Sequence, residues 1–342
     1  MIRLRHSLVA VTFATVALLA GNALATPISQ SRTVQNVDWC SVGVGGIGDV
    51  GTGTLDLNCV SGTVTAAYLV WHGINNSGTD AVYDNATIDF DGNSVTGVSL
   101  GDASTNCWGA GSSRAYEANV TSFVSGNGSY PISGLAAATG HDANGASLIV
   151  VFNDGDSLNN RDLVFFTGND SNYIEGFPGE DDGWNAALAG INYGGGAAGM
   201  QVHVADGQSA GDGTLNLTTV NGAVAIPDTD ALYDGLSVPN EGNGRIASVA
   251  LWDVHDFDIT GAFGAVTGSV TLNLSGMVGA GDCLGLAVAL MDLEPGSAPP
   301  PPQPPPPPPS QEYVPIPTLS EFGLLLMVLV LSGVALLKIR KD

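Results

Sequence analysis

The chain has 342 residues, of which 47 are glycine, 18 are proline and only nine are lysine or arginine, against 33 aspartates and glutamates. Glycine is about twice as frequent as usual but follows no three-residue period, and hydrophobic residues make up 44% of the chain, so the composition excludes both collagen and wholesale disorder. The formal net charge of -24 excludes a nucleic-acid-binding protein, because phosphate binding requires clustered lysine and arginine.

The first 25 residues are typical of a secretory signal peptide. Arg3 and Arg5 give a basic start, residues 8–20 form an apolar run, and Ala23-Leu24-Ala25 has the small-x-small pattern of a cleavage site. The apolar run is shorter than the roughly 20 residues that a spanning helix requires. We therefore expect export by the Sec machinery and cleavage after Ala25, with an uncleaved N-terminal anchor as the alternative.

Residues 26–294 predict an all-β fold. Of the 47 glycines, 43 lie between residues 34 and 293, which leaves little room for helices of ordinary length. Turn residues such as Asp91-Gly92-Asn93 and Asn221-Gly222 separate β-rich runs, which predict strands. These runs are residues 64–71, 86–90, 147–152, 163–167, 200–205, 214–220, 246–252, 269–274 and 284–290. Only residues 182–191 have a helical pattern, so the sequence indicates a β-sandwich or jelly roll.

The length of this region exceeds that of one ordinary sandwich and suggests a duplication. Three segments recur in order, namely residues 53–64 with 213–224, 116–121 with 252–257, and 146–154 with 284–292. Their order and spacing favour two tandem β-sandwich domains, residues 26–155 and 156–294. The alternative is one domain in which similar hairpins recur by chance.

The four cysteines, Cys40, Cys59, Cys107 and Cys283, form an even set on an exported chain, so two disulfides are the default expectation. Three pairings are possible. The local pair Cys40–Cys59 is our first choice, and it would leave Cys107 and Cys283 to join the two halves. No C-x-x-C pair occurs, so neither a thiol redox centre nor a zinc knuckle is expected.

The acidic charge of the ectodomain suggests bound cations. Between residues 26 and 312 the chain has four arginines, no lysine and 31 acidic residues, a repulsion that salt or bound cations would relieve. Asp154, Asp156, Asn159 and Asp162 form the densest candidate calcium site, because carboxylate and amide oxygens suit Ca²⁺. Their order differs from that of an EF-hand, and a solvated polar hairpin loop is the alternative.

One motif suggests an enzyme. Gly155-Asp156-Ser157-Leu158 resembles the nucleophile block of GDSL esterases and follows a predicted strand. Those hydrolases, however, hold a Ser/His/Asp set on an α/β sheet, whereas this chain has almost no helical pattern and lacks their later Asp-x-x-His. We therefore expect no enzymatic activity and no catalytic residues.

Scattered histidines and tryptophans give weaker signals. His72, His141, His203 and His255 lie far apart in the sequence and are expected to be structural. Exposed tryptophans can stack on sugar rings, and Trp108 and Trp184 are the better surface candidates, whereas core packing is expected for most of the five tryptophans.

A proline-rich linker, residues 295–313, follows the β region. Residues 295–317 hold 13 of the 18 prolines and predict a stiff polyproline II spacer. Residues 322–337 are apolar and predict a single transmembrane helix, and Lys338, Arg340 and Lys341 predict a cytoplasmic end.

Residues 314–342 resemble a sorting signal. The apolar helix and basic cluster follow the motif Ile316-Pro317-Thr318-Leu319-Ser320-Glu321-Phe322-Gly323. This arrangement resembles the IPTL-CTERM signals of exosortase substrates in Gram-negative bacteria, the type paired with exosortase H, with Phe322 where that family usually has tryptophan. The resemblance implies that a membrane-embedded cysteine protease cuts near the motif and releases or transfers the ectodomain to the cell surface. An ordinary, uncut anchor is the alternative.

The ectodomain gives a looser resemblance. Residues 66–71, 115–121 and 145–152 are similar to uncharacterised surface-protein β domains of archaea and bacteria, which carry no known activity.

Together these features predict an exported protein that is anchored in the inner membrane before processing and then lies at the cell surface, on the outer membrane or in the extracellular matrix. The expected role is structural or adhesive, with extracellular polysaccharide as a partner and calcium as the one cofactor considered. The alternatives are a carbohydrate-binding surface module and, second, an extracellular hydrolase.

Overall fold

The computed structural model describes residues 26–48, 50–75, 85–101, 112–135, 141–172, 184–208, 214–219, 222–225, 232–241, 250–264, 267–277 and 284–298. The predicted signal peptide, the linker beyond Ala298 and the sorting signal with its apolar helix lie outside these residues, as do Cys107, Trp108 and Cys283. Within the described ranges, no helix is both long and apolar enough to cross a membrane.

The described residues of the N-terminal half form nine strands and a short 3-10 helix, Thr121–Phe123. The strands are β1 (Thr26–Gly45), β2 (Gly53–Leu57), β3 (Thr63–Asn75), β4 (Thr87–Phe90), β5 (Asn93–Thr96), β6 (Val98–Ser99), β7 (Ser112–Asn119), β8 (Gly128–Ser133) and β9 (His141–Asn153).

The described residues of the C-terminal half form eight strands and one helical turn, α1 (Thr260–Phe263). The strands are β10 (Arg161–Asn172), β11 (Trp184–Tyr193), β12 (Gly199–Ala205), β13 (Thr214–Thr219), β14 (Gly222–Ala225), β15 (Trp252–Asp258), β16 (Gly268–Met277) and β17 (Leu284–Leu293).

The hydrophobic pattern of each strand follows its place in the layers. In β2, Leu55 and Leu57 are buried whereas Asp56 between them is exposed, which is the alternation of a strand with one buried face. In β17, nine of the ten residues are buried and the sequence is apolar almost throughout, because other layers cover both of its faces.

Both halves have the strand order of a jelly roll. The N-terminal half has the orders β1-β9-β3-β7 and β2-β8-β4-β5 in its two sheets, and the C-terminal half has β10-β17-β12-β15 and β11-β16-β13-β14. Renumbered within each half, without the two-residue β6, both halves give 1-8-3-6 and 2-7-4-5. This is the arrangement of an eight-stranded jelly roll, and it confirms the predicted all-β sandwich or jelly-roll fold.

The repeated order supports a duplication but changes which segments correspond. By position in the sheets, β7 corresponds to β15 and β9 to β17, in agreement with two of the three sequence pairs. Strand β2, however, corresponds to β11, and β13 corresponds to β4. The similarity of residues 53–64 to 213–224 therefore joins strands at different places in the two jelly rolls and is wrong as an equivalence.

Strand β1 belongs to both jelly rolls. Its first part, from Thr26 to Val37, pairs with β10, and its second part, from Asp38 to Gly45, pairs with β9. The partner changes at a register shift where Asn36 has a φ of 57°. A first domain of residues 26–155 therefore includes a segment that completes the second jelly roll. All described residues fall in one compact unit, and a division into domains 26–155 and 156–294 stays a prediction.

The nine-stranded sheet that β1 joins together folds back on itself. Strands β9 and β12 are four places apart in this sheet, about 19 Å at ordinary strand spacing. Yet Ser147 Oγ of β9 lies 2.8 Å from His203 Nδ1 of β12. The two jelly rolls therefore pack with their large sheets face to face. One buried apolar cluster fills each jelly roll, and a third lies between the two large sheets.

One predicted element needs correction. The helical pattern at residues 182–191 does not give a helix over its described part, because Trp184–Tyr193 is strand β11. A bulge at Gly190, with a φ of 83°, separates the buried residues Leu188 and Ile191 by three positions, and this spacing mimics a helical period. Most of the strand predicted at 246–252 lies outside the described residues, and β15 begins at its last residue, Trp252.

Candidate functional site

The two jelly rolls meet along a seam, defined here as the side chains between the two large sheets. Its apolar part unites residues of β3, β7 and β9 with residues of β10, β12, β15 and β17. At one point Tyr68 and Phe165 pack edge to face, with ring centres 5.4 Å apart. Polar side chains also lie within this apolar surface, and they form hydrogen bonds and an ion pair between the two jelly rolls.

A buried serine–histidine pair lies in the seam. Ser147 Oγ is 2.8 Å from His203 Nδ1 and 2.9 Å from Trp252 Nε1. Because an indole N–H can only donate, the Ser147 hydroxyl accepts from Trp252. The same hydroxyl hydrogen-bonds His203 Nδ1, and the imidazole tautomer decides which of the two atoms donates. Burial lowers the pKa of His203 to about 3.

This pair lacks what nucleophilic catalysis requires. Ser147 and His203 have no exposed surface, so no substrate reaches them. Within the described residues, His203 Nε2 has no hydrogen-bond partner, so no carboxylate orients the imidazole. Ser147 comes from the N-terminal jelly roll, whereas His203 and Trp252 come from the other. These hydrogen bonds therefore hold the two jelly rolls together.

A second polar group also bridges the seam. His72 Nδ1 lies 2.9 Å from Asn144 Oδ1, and Asn169 of β10 donates to the backbone carbonyl of Ser113 in β7 at 3.0 Å. All four residues are buried. Burial lowers the pKa of His72 to about 4, against the smaller opposite effect of hydrogen bonds to Asn144 and Asn169.

Arg32 provides a charged link across the seam. It lies on the part of β1 that pairs with β10, and it forms an ion pair with Glu117 of β7. Its guanidinium also lies over two aromatic rings, 3.9 Å from the centre of Tyr68 and 5.0 Å from that of Phe165. The same cation thus makes a charge pair and cation–π contacts that tie the two large sheets together.

An open cleft of about 290 Å³ lies at the rim of the seam, with Asp56 and Asp256 in its walls. Ser41 Oγ donates to Gln201 Oε1 at 2.6 Å, and Gln201 Nε2 donates to Asp256 Oδ1 at 2.8 Å. The Ser41 hydroxyl and one N–H of the Gln201 amide therefore donate within the protein, whereas the two carboxylates add acceptors to the cleft. Such a wall suits a ligand that donates hydrogen bonds, through hydroxyl or ammonium groups.

Asp256 also borders a neighbouring cleft of about 460 Å³. Arg161 lies in its wall and forms ion pairs with Asp292 and Glu294. Burial alone would lower the pKa of Arg161, but these two carboxylates raise it. Because the ion pairs already neutralise this cation, the two clefts disfavour anionic ligands and suit neutral or cationic ones.

The Cys40–Cys59 disulfide is present, with Cα atoms 6.2 Å apart. It links β1 to the loop that follows β2, and it confirms the predicted local pair. The pair Cys107 and Cys283 lies outside the described residues and stays a prediction.

The predicted calcium residues do not form one ligand set. Asp154 and Asp156 lie on the loop between β9 and β10, where each accepts a hydrogen bond from a backbone N–H two positions later. Asn159 donates to Asp154, whereas Asp162 is buried and accepts from three backbone amides elsewhere. Among the residues the structure describes, no three His, Cys, Asp or Glu side chains are grouped to hold a metal ion. Calcium binding by the loop stays a prediction.

The remaining predicted residues divide between loop and core. Ser157 is exposed on the same loop, whose side-chain hydrogen bonds, as far as the described residues show, involve no histidine. Trp71, Trp184 and Trp252 are buried, so the predicted surface position of Trp184 is wrong. Trp184 begins β11 and packs against Tyr233 in the second jelly roll. The side chain of His141 lies outside what the structure describes.

Several polar residues of the structure gave no recognisable signal in the sequence. Asp253 is fully buried and accepts from Gly235 N at 2.9 Å and from Ser237 Oγ at 2.7 Å. Burial, with a smaller effect of the Asp253 charge, raises the pKa of Tyr233. Strand β15 holds three aspartates, of which only Asp253 is buried, so the sequence of the strand does not mark it.

Comparison with known families bears on the C-terminal tail. The family model for the IPTL-CTERM motif matches residues 314–341, which confirms the predicted sorting signal. The chain therefore carries an IPTL-CTERM signal. This signal implies a secreted protein that is anchored in the membrane, processed by an exosortase-type membrane enzyme and displayed at the cell surface.

Comparisons of the whole chain give little. No curated protein matches the sequence significantly. The atomic structure of Sulfolobus turreted icosahedral virus matches with 11% identity and a TM-score of 0.23, over 74% of this chain and 90% of that chain. The crystal structure of the STIV MCP matches with 11% identity and a TM-score of 0.21, over 74% of this chain and 96% of that chain. Recombinant N-glycanase F (PNGase F) matches with 12% identity and a TM-score of 0.23, over 75% of this chain and 96% of that chain. At these TM-scores the similarities carry no argument about this chain.

Proposed function

We propose that the ectodomain is a structural or adhesive component of the bacterial envelope or extracellular matrix and is not an enzyme. The observation that carries this proposal is the IPTL-CTERM signal at residues 314–341, which follows a proline-rich linker in the sequence. In this proposal the Sec machinery exports the chain and the C-terminal segment holds it in the inner membrane. An exosortase then processes it for display on the outer membrane or in the matrix.

The chemistry of the seam supports a structural role. Its serine, histidines and asparagines are buried and bonded to one another, and Arg32 is paired with Glu117 and stacked on two rings. These groups link one jelly roll to the other. A rigid two-part body of this kind suits a protein that must keep its shape outside the cell.

Extracellular polysaccharide is the partner that the rim cleft favours. The cleft offers the carboxylates of Asp56 and Asp256 to hydroxyl donors, and Gln201 fixes one of these carboxylates. A glycan array tests this: wild-type protein should bind neutral or amino sugars, Gln201→Ala should bind them more weakly, and the loop variant Ser157→Ala should bind like wild type. Equal binding by all three proteins would place any sugar site elsewhere.

The structural role itself is tested in cells. A strain that lacks the protein should form less cohesive aggregates or biofilm, and the full chain should restore cohesion. A chain without residues 314–341 should be exported but should neither be displayed on the surface nor restore cohesion. Surface labelling and sedimentation of cell aggregates measure the two effects. Undiminished cohesion in the deletion strain would contradict the proposed role, whatever the fate of the tail.

A further inference from the structure

The final strand of the ectodomain, β17, occupies a position suited to carrying tension. It lies between β10 and β12, and antiparallel ladders on both sides pair its residues along most of its length. It leads directly to the end of the described chain at Ala298, and Pro299 begins the proline tract in the sequence. A pull through the linker therefore enters the ectodomain at the C-terminal end of β17.

The register shows how such a pull acts on the sheet. Strands β1 and β17 lie on either side of β10 and both run antiparallel to it. Thr26, at the start of β1, pairs with Asn169, whereas Leu293, at the end of β17, pairs with Asp162. The two ends of the ectodomain thus lie at opposite ends of β10. A pull between them runs along the strands and loads the hydrogen bonds of both ladders together.

A hydrogen-bonded clasp keeps the end of β17 from peeling away. Asp162 Oδ2 accepts from Gly296 N at 2.7 Å and from Ala298 N at 3.2 Å. Asn192 N donates to the carbonyl of Ser297 at 2.9 Å, and both Ser297 and Ala298 are buried. Hydrogen bonds to a buried carboxylate are stronger than those between neutral groups, so this segment resists being lifted from the sheet.

The same carboxylate secures the corner of β1. Asp162 Oδ1 accepts from Asn36 N at 3.0 Å, and Asn160 Nδ2 donates to Asn36 O at 3.1 Å. Beside Asp162, Arg161 forms ion pairs with Asp292 and Glu294 at the end of β17. The start of β10 thus holds both the chain exit and the corner at which the two jelly rolls join.

We propose that this clasp is a mechanical anchor, which makes tension from the linker shear β17 against β10 and β12 instead of peeling it off. The proposal rests on the proposed surface display only for the source of the tension. The mechanical property itself belongs to the ectodomain and is measured without any cell.

Single-molecule force spectroscopy on the full chain, purified in detergent, tests the anchor by comparing two pulling directions. One handle follows Asp342, and the other is placed either before Thr26 or in the exposed loop at Leu158, next to the start of β10. Pulling from Thr26 shears β10 against its neighbours, whereas pulling from Leu158 peels β10 from β17. We expect a clearly higher unfolding force for the first direction at the same loading rate. Equal forces in both directions would overturn the proposal.

A variant separates the clasp from the ladders. Asp162→Asn removes the charge that three backbone amides share, and the matched control Asp156→Asn changes a carboxylate on the exposed loop. Under constant load in the shear direction, Asp162→Asn should unfold about tenfold faster than wild type, and Asp156→Asn should not. Equal rates for the two variants would show that the Asp162 clasp does not anchor β17 and would overturn the proposal. If Asp162→Asn does not fold, the two pulling directions on the wild-type chain still decide.

Discussion

At the scale of single residues, burial fixes the charge of two histidines in the seam. His203 and His72 have pKa values of about 3 and about 4, below the ordinary 6.5, so the folded protein keeps both neutral. An unfolded chain protonates them below pH 6.5. The two histidines therefore do not lower the unfolding free energy above that pH. As the pH drops towards 4, the unfolding free energy falls by about 1.4 kcal/mol per pH unit for each histidine. Urea unfolding between pH 7.5 and pH 4.5 measures this slope.

The matched variant for this prediction is His203→Asn. An asparagine side chain, which carries both a donor and an acceptor, can hydrogen-bond Ser147 in place of the imidazole Nδ1, and it does not titrate. The variant should lose about half of the slope between pH 4.5 and 6.5. Asp154 and Asp258 also have lowered pKa values, but they titrate below their ordinary 3.8 and so outside this window. A slope unchanged by the substitution would show that His203 is not the titrating group.

Arg32 is the second residue on which the seam depends. Arg32→Ala leaves the mostly buried Glu117 without its cation and removes the contacts with Tyr68 and Phe165. The loss should lower the unfolding free energy by about 2–3 kcal/mol. Arg32→Ala combined with Glu117→Gln should recover part of it, because the unpaired charge is then gone. If the single variant unfolds at the same urea concentration as wild type, the ion pair does not stabilise the seam.

At the scale of elements, the Cys40–Cys59 disulfide ties β1 to the loop after β2 across a sequence separation of 19. Cross-linking a loop of this length restricts the unfolded chain and should stabilise the protein by about 3 kcal/mol. Cys40→Ala with Cys59→Ala should therefore lower the melting temperature by several degrees, measured by calorimetry without reductant. An unchanged melting temperature would show that the disulfide does not stabilise the fold.

The elements also show how far sequence reasoning extends. Runs such as residues 64–71, 147–152 and 284–290 predict β3, β9 and β17, because β-rich composition and flanking turns act locally. Strand β11 is missed because a bulge changes the spacing of its buried residues. The partners of Ser147, Gln201 and Asp162 are 56, 160 and up to 136 residues away, and no pattern in a short segment can identify them.

At the scale of the whole molecule, strand β1 makes each jelly roll depend on the other. Residues 156–298 expressed alone lack the β1 segment that pairs with β10, and they expose their side of the seam cluster. We expect this fragment to aggregate or remain unfolded, and co-expression with residues 26–155 to give a folded complex. Circular dichroism and size-exclusion chromatography measure the outcome. A monomeric, folded fragment 156–298 would support two independent domains.

The two outermost strands of the large sheet have a further consequence. Among the described strands, the sheet ends on one side in β6, which has only two residues, and on the other in β15, where Asp256 and Asp258 are exposed. Very short strands and charged side chains are the features by which soluble proteins prevent their sheets from being extended by another chain. Many copies crowded together on one cell can therefore stand side by side without merging into fibres.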